Sequence, residues 1–323
     1  MCEGNIDVTD LDRIVAEVAD EIAVNAATIE READAKEPGA TPGPLGIAVA
    51  LPDGRVLCGG DTATRFPIQS ISKVFALEVA LCAIGDAVFE RVGREPSGDP
   101  FNSIVELERN DGIPRNPFVN AGALVTVDVV GEAMKGAGAH GAVVDLIAHQ
   151  LGVDRVALDD EVLESETSGG DLNRSMLSFM KHHGNLRGDP DQVLRRYVAQ
   201  CAVSLNCAEL ARAGRFLART RLKKDESGEN GAKNNARATR MRHLLALMMT
   251  CGHYDASGDF ALRVGLPAKS GVGGGILAIA PEVASFAVWS RNLDQNGNSI
   301  QGVHALEMLA ARTGWSVFGP PRP

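Results

Sequence analysis

Within Phe66-Pro67-Ile68-Gln69-Ser70-Ile71-Ser72-Lys73-Val74-Phe75, the pair Ser70 and Lys73 has the types and spacing of a nucleophile and its base. A breaker followed by an apolar-periodic run predicts that Ser70 opens a helix. Residues three apart share a helix face, which brings the Lys73 amine within reach of the Ser70 hydroxyl. A serine hydroxyl is a weak nucleophile until a nearby amine, neutral for part of the time, takes its proton. Burial favours that neutral form of lysine, and the positive end of the helix dipole favours a developing oxyanion. Alone the tetrapeptide carries little weight, because in most proteins Ser-x-x-Lys is a helix cap followed by a surface lysine.

A second element raises its weight. Lys269-Ser270-Gly271-Val272-Gly273-Gly274-Gly275-Ile276 lies just before a predicted strand, and Lys-Ser-Gly is a close relative of the Lys-Thr-Gly that accompanies Ser-x-x-Lys in penicillin-recognising enzymes. The plain reading is a flexible glycine loop. The chemical one is that small residues let backbone amides approach a reacting carbonyl.

The elements that must position these groups follow from periodicity. An amphipathic segment from about Asp10 to Glu32 precedes a loop rich in breakers, Lys36 to Pro44. Gly46 to Leu51 and Arg55 to Cys58, joined by Pro52-Asp53-Gly54, read as a hairpin. From Ser70 to about Met249 the apolar spacing is mainly helical. Strand patterns return at Gly275 to Ala280 and Ser285 to Ser290, before a last helix around Gly302 to Thr313. The expected class is α/β (α+β), with one sheet built from both chain ends. The expected division is a sheet-containing part, 1–69 with 255–323, and a mainly helical part, 70–254, with a cleft between them. Arg221 to Asn235, charged and rich in Gly and Asn, reads as a surface loop.

Composition bounds the partners. A formal charge of −10 argues against nucleic acid or an anionic membrane, either of which requires a basic face. The start lacks a basic, apolar leader and no run is long and apolar enough to span a bilayer, so a cytoplasmic location is the expectation. The six cysteines show no Cys-x-x-Cys spacing and read as free, mostly core thiols. Cys201 and Cys207 do not match a zinc knuckle, and the adjacent His182-His183 should point to different sides of a helix, so no metal is expected.

The segments Phe66 to Phe75, Glu95 to Ser103, Asn116 to Ala123, Cys251 to Gly258, Gly265 to Ile276 and Gly297 to Gly302, in this order over nearly the whole chain, resemble the bacterial and animal-type glutaminases. The resemblance implies a β-lactamase/transpeptidase-like fold, an antiparallel sheet flanked by helices with an inserted helical part. It also implies hydrolysis of L-glutamine to L-glutamate and ammonia through a glutamyl-serine intermediate, without metal or organic cofactor. Ser70 then matches the nucleophile and Lys73 its base. Asn120, Glu166, Asn173 and Tyr197 match substrate-binding positions, Tyr254 a tyrosine beside the nucleophile, and Val272 a position whose backbone amide binds substrate. Lys269 matches a lysine that sets the local field. A carboxylate such as Glu166 suits an ammonium group, while Asn and Tyr donors suit a carboxylate. Singly, Asn120 and Asn173 would be caps, Glu166 a surface acid and the tyrosines core residues. Members of the family suggest a homodimer or homotetramer.

Two regions depart from the family. Glu21 stands where a substrate-reaching tyrosine is expected, and Arg221 to Asn235 replaces a Gly-Gly-Asn-Pro-type loop. Two rival readings therefore stay in view. One is a β-lactamase or peptidase of the same fold class, disfavoured by the absence of an evident Ser-x-Asn signature. The other is a catalytically silent amino-acid-binding homologue.

Overall fold

The computed structural model describes residues 8–98, 103–134, 141–221 and 229–319, without the side chains of 166–169 and 229–230. Cys2, Asp99 to Asn102 and the side chain of Glu166 therefore lie outside the described residues. The helices are α1 (Val8–Glu32), α2 (Ser72–Ile84), α3 (Val105–Arg109), α4 (Asn120–Met134), α5 (Ala142–Leu151), α6 (Asp160–Gly169), α7 (Asp171–His182), α8 (Pro190–Cys201), α9 (Cys207–Gly214), α10 (Glu229–Cys251), α11 (Ser257–Arg263) and α12 (Ile300–Thr313). The strands are β1 (Leu45–Ala50), β2 (Val56–Gly60), β3 (Phe66–Pro67), β4 (Ala157–Leu158), β5 (Val203–Leu205), β6 (Ala268–Ser270), β7 (Gly275–Ala280) and β8 (Ala284–Ser290).

The main sheet has the order β2-β1-β8-β7-β6 and every pairing is antiparallel. Both chain ends contribute, as the strand patterns predict. Successive strand residues point to opposite faces. Ile47, Val49, Ile276, Ala278, Phe286 and Val288 thus enter a core shared with α1 and α12, whereas Ala48, Ala50, Leu277, Ile279 and Ala287 enter the core of the helical part. Because both faces are covered, β1 and β7 read as continuous apolar runs rather than alternating ones. In α1 the apolar face, Leu11, Ile14, Val15, Val18 and Ile22, is the one that is buried.

α2 is the central helix. Val74, Phe75, Ala76, Leu77, Ala80 and Leu81 are all buried, and it packs on α4, α5 and α10. A helix apolar all round has no solvent face to lose, so its position is set by packing on every side.

Three features differ from the sequence expectations. A small sheet in the order β3-β5-β4 lies beside the helical part; its strands, of two or three residues, are too short to carry a period. Lys269 lies ahead of the expected strand, β7, but itself stands inside a further short strand, β6. Residues 229–235 belong to α10 rather than to a loop, because extending a helix already formed by the buried run that follows needs only one more hydrogen bond per residue, even through Gly and Asn. Residues 222–228 of that segment lie outside the described residues. Cys201, Cys207 and Cys251 are buried while Cys58 and Cys82 are exposed. His182 ends α7 and His183 caps it, and their rings meet edge-on at 5.2 Å instead of diverging.

Beneath α4, the buried Asp128 carboxylate ties three segments together. Its Oδ2 accepts from Arg91 Nη2 at 2.5 Å and from the Arg187 amide at 2.9 Å, and its Oδ1 accepts from the Gly188 amide at 2.8 Å. Glu132 also accepts from Arg91, at 2.7 Å, but is partly exposed. Removing Asp128 leaves two amides without their acceptor and takes from the buried guanidinium its fully buried carboxylate partner. Asp128→Ala is expected to cost about 3–5 kcal/mol in urea unfolding, well beyond the loss from Glu132→Ala.

Candidate active site

The nucleophile segment is held before it becomes helix. Phe66 and Pro67 pair with Leu205 and Ser204, and the Ile68 amide donates to the Val203 carbonyl at 2.8 Å. Gln69–Ile71 form a 3-10 turn that runs directly into α2, so Ser70 sits one turn ahead of Lys73 on a continuous helical path. Gln69 has φ +47°, a left-handed conformation that costs a side-chain-bearing residue about 1–3 kcal/mol and persists only where the surroundings over-determine it.

What over-determines it is the glycine run. A Cβ on Gly273 would lie 2.2 Å from the Pro67 carbonyl oxygen, and one on Gly271 2.6 Å from that of Ile68. These residues are small because the run is pressed onto the backbone that delivers Ser70. The structure thus supplies a protein-against-protein reason for small residues, beside the approach to a substrate carbonyl that the sequence suggests. Val272 between them is 41% exposed and faces outward.

Ser70 is 8% exposed, Lys73 1% and Lys269 0%. Lys73 Nζ donates to Asn120 Oδ1 at 2.7 Å and to the Phe118 carbonyl at 3.2 Å. Asn120 Oδ1 also accepts from the Tyr197 hydroxyl at 3.4 Å, and Asn120 Nδ2 donates to Asn173 Oδ1 at 3.4 Å. Residues from α2, α4, α7 and α8 thus meet at one point, through the first residue of α4. Glu166 lies on α6, which packs on α8.

The opposite wall comes from β6 and the turn after α10. Lys269 Nζ donates to the carbonyls of Ser270, at 2.6 Å, and Gly252, at 3.0 Å, and lies 4.3 Å from the centroid of the Tyr254 ring. Burial, reinforced by the charge of Lys73, holds the Lys269 pKa well below that of a free lysine. Burial also pushes the Tyr254 phenol up to about 12, against the hydroxyls of Ser70 and Ser270, which pull it down. At neutral pH Tyr254 is therefore a proton donor next to Ser70. Its φ of +54° is again left-handed.

The arrangement supplies a hydroxyl, an amine one turn away fixed by two acceptors, and a phenolic donor, which together suit acyl transfer at an amide. Two wider hollows, of about 570 Å³ near Pro38, Pro42 and Asn292 and about 470 Å³ near Leu262, Trp315 and Phe318, do not contain Ser70.

Glu21 does not face this site. It lies on the exposed side of α1, and its carboxylate accepts from Arg312 of α12. The chain that borders the site's outer loop is instead 33–35, bridged to 293–299: the Gln295 amide donates to the Asp34 carbonyl at 2.9 Å, and Ala35 pairs with Asp294. The sequence missed this because no distinctive residue marks the end of α1. It also missed the carbonyls of Phe118 and Gly252, since main-chain atoms leave no mark on residue type, and the buried His253 and Asn298, which lie within the quoted motifs but carry no spacing that singles them out.

Comparison with known proteins places these residues in context. The glutaminase family profile matches residues 38–318. A glutaminase of Mesorhizobium japonicum is 48% identical over 317 residues, covering 96% of this chain and 97% of that protein. One from Rhizobium johnstonii is 50% identical over 280 residues, covering 86% and 88%. Among solved structures, a Bacillus glutaminase aligns with a TM-score of 0.79 at 30% identity, covering 94% of this chain and 99% of that one. A probable glutaminase of Bacillus subtilis aligns with a TM-score of 0.80 at 30% identity, covering 94% and 97%.

The buried Lys269 fixes a pH dependence. Between its depressed folded value and the 10.5 of a free lysine, the unfolded chain binds more protons than the folded one, so the unfolding free energy rises with pH. Above pH 10.0 Tyr254 acts in the opposite sense, because the folded state keeps a phenol proton that the unfolded state has lost. Urea titrations from neutral pH to about 8.5, below the range where the buried thiols of Cys207 and Cys251 act in the opposite sense, should show stability rising with pH in the wild type, and a flatter slope in Lys269→Met, which should also be the more stable protein at neutral pH.

Proposed function

The chain belongs to the glutaminase family, with its β-lactamase-like fold, and from that premise we propose that it hydrolyses the side-chain amide of L-glutamine to L-glutamate and ammonia with Ser70 as nucleophile. The observation that carries this reading is the convergence on Ser70 of Lys73, fixed by Asn120 and the Phe118 carbonyl, and of the Tyr254 phenol.

Lys73 in its neutral form takes the Ser70 proton as Oγ attacks the amide carbon. The π electrons of the carbonyl move onto its oxygen, and the backbone amides of Ser70 and Val272 stabilise that oxyanion. As it collapses, the C–N bond breaks and the departing nitrogen takes a proton from Tyr254, which Lys73 replaces, releasing ammonia. Water then attacks the glutamyl ester, gives its proton to the same groups, and Ser70 Oγ leaves reprotonated. A phenol held protonated by burial is suited to the donor's part, and a lysine anchored by two acceptors is suited to a fixed base.

Asn120, Asn173 and Tyr197 lie around Lys73 and supply donors for the substrate carboxylate, and Glu166 is assigned to its ammonium group. On this reading substrate enters between the sheet part, 1–69 with 255–323, and the helical part, 70–254. The family further supports a homodimer or homotetramer in the cytoplasm.

A coupled ammonia assay on glutamine, asparagine and γ-glutamyl amides tests substrate and nucleophile together. Glutamine should be turned over fastest, and Ser70→Ala should lower kcat by about 10³-fold or more with the fold retained. Substantial turnover in Ser70→Ala would exclude the mechanism.

A further inference from the structure

His253 immediately precedes Tyr254, is 1% exposed, and stacks on Phe260 with ring centroids 3.6 Å apart. Neither ring nitrogen makes a hydrogen bond of standard geometry, and neither does Oδ1 of Asn298, itself 1% exposed. The Asn298 side chain is the polar group that faces the imidazole. Its Nδ2 turns instead toward the Asp294 carboxylate, at 3.4 and 3.5 Å, and its backbone amide donates to Asp294 Oδ1 at 2.8 Å. That leaves Oδ1 as the open acceptor. Burial and the neighbouring Lys269 charge keep the imidazole neutral, so it offers one N–H and no charge. A buried donor and a buried acceptor that face each other outside standard hydrogen-bond geometry still attract, and removing either would leave the other buried and open, which is costly.

The loop that carries Asn298 borders the reacting groups. Gly297, at φ +88°, comes so close that a Cβ there would sit 3.3 Å from Val272 Cγ1 and 3.8 Å from Tyr254 Cε2. Holding Asn298 toward His253 therefore helps to hold the loop 293–299 beside Val272 and Tyr254. On the other side, the His253 amide donates to Ser257 Oγ at 3.0 Å, and that hydroxyl donates to the Tyr254 carbonyl at 2.9 Å, which fixes the backbone of the left-handed tyrosine.

We infer that His253 is a positioning residue: its N–H holds Asn298 Oδ1, and with it the loop 293–299, beside Val272 and Tyr254, so that the phenol stays aligned with Ser70. This rests on the reading of Ser70 and Tyr254 given above. The histidine does not touch the reacting atoms, and the step involves no proton transfer through it.

The test compares His253→Phe, which keeps the stack on Phe260 and removes the donor, with His253→Gln, which keeps a donor, and with Asn298→Leu and the His253→Phe/Asn298→Leu double variant. Each is assayed for kcat and KM on glutamine and for thermal midpoint, beside Ser70→Ala. The expected result is a fall in kcat of about ten- to hundredfold in His253→Phe, the range that misplacing a reacting group carries, with KM changed less than about threefold. His253→Gln should recover most of kcat, and the double variant should be no slower than the slower single variant. Any of three results overturns the inference while Ser70 dependence stands: kcat in His253→Phe within about twofold of wild type, His253→Gln as slow as His253→Phe, or additive losses in the double variant. Should His253→Phe fail to fold, His253→Gln and Asn298→Leu decide alone, since near-wild-type kcat in Asn298→Leu overturns the contact. Turnover that survives in Ser70→Ala would instead remove the reading on which the inference rests.

Discussion

Two lysine amines, Lys73 and Lys269, are buried close enough for each to bear on the other's charge. A desolvated ammonium is costly, and a second one beside it raises the cost. The site answers this with oxygen acceptors: the Phe118 carbonyl and Asn120 for Lys73, the carbonyls of Gly252 and Ser270 for Lys269. Neutral acceptors lower the cost of the charge without neutralising it. A buried lysine surrounded this way gives up its proton more readily than one paired with a carboxylate, which is the property that a base for a serine hydroxyl requires.

The rest of the fold serves to keep those acceptors and hydroxyls at fixed distances. α2 is apolar on all sides, so Ser70 and Lys73 move only if the helical core moves. The main sheet, covered on both faces, holds β6 and so Lys269 with comparable rigidity. The end of the sheet meets the nucleophile segment where the glycine run packs on Pro67 to Gln69, backbone against backbone. That contact is too close for any Cβ, and it imposes the left-handed conformation at Gln69 on the residue just before the nucleophile. Strain on the nucleophile turn is thus held by the glycine run that follows the strand of the second lysine, which couples Ser70 to Lys269 mechanically, while Lys73 and Lys269 are coupled electrostatically.

Much of this was legible in the residues. Ser70 and Lys73, Lys269 to Gly275, and the strands at both chain ends follow from spacing and period, because a helix face, a strand alternation and a glycine requirement each impose a local pattern. Asn120, Asn173 and Tyr197 are legible only through resemblance, since a buried amide and an amide cap are the same residue in sequence. Glu21 misled for the opposite reason: its register was set where no motif anchors it, and its carboxylate in fact belongs to Arg312.

By itself the sequence determined which groups could react and which elements would carry them. Tertiary structure alone decided what those groups experience. The burial of both lysines, the pKa of Tyr254, the main-chain carbonyls that hold each amine and the facing of His253 and Asn298 arise from contacts between segments far apart in the chain. Desolvation and Coulomb energy depend on distance through space, and no spacing along a sequence encodes that distance.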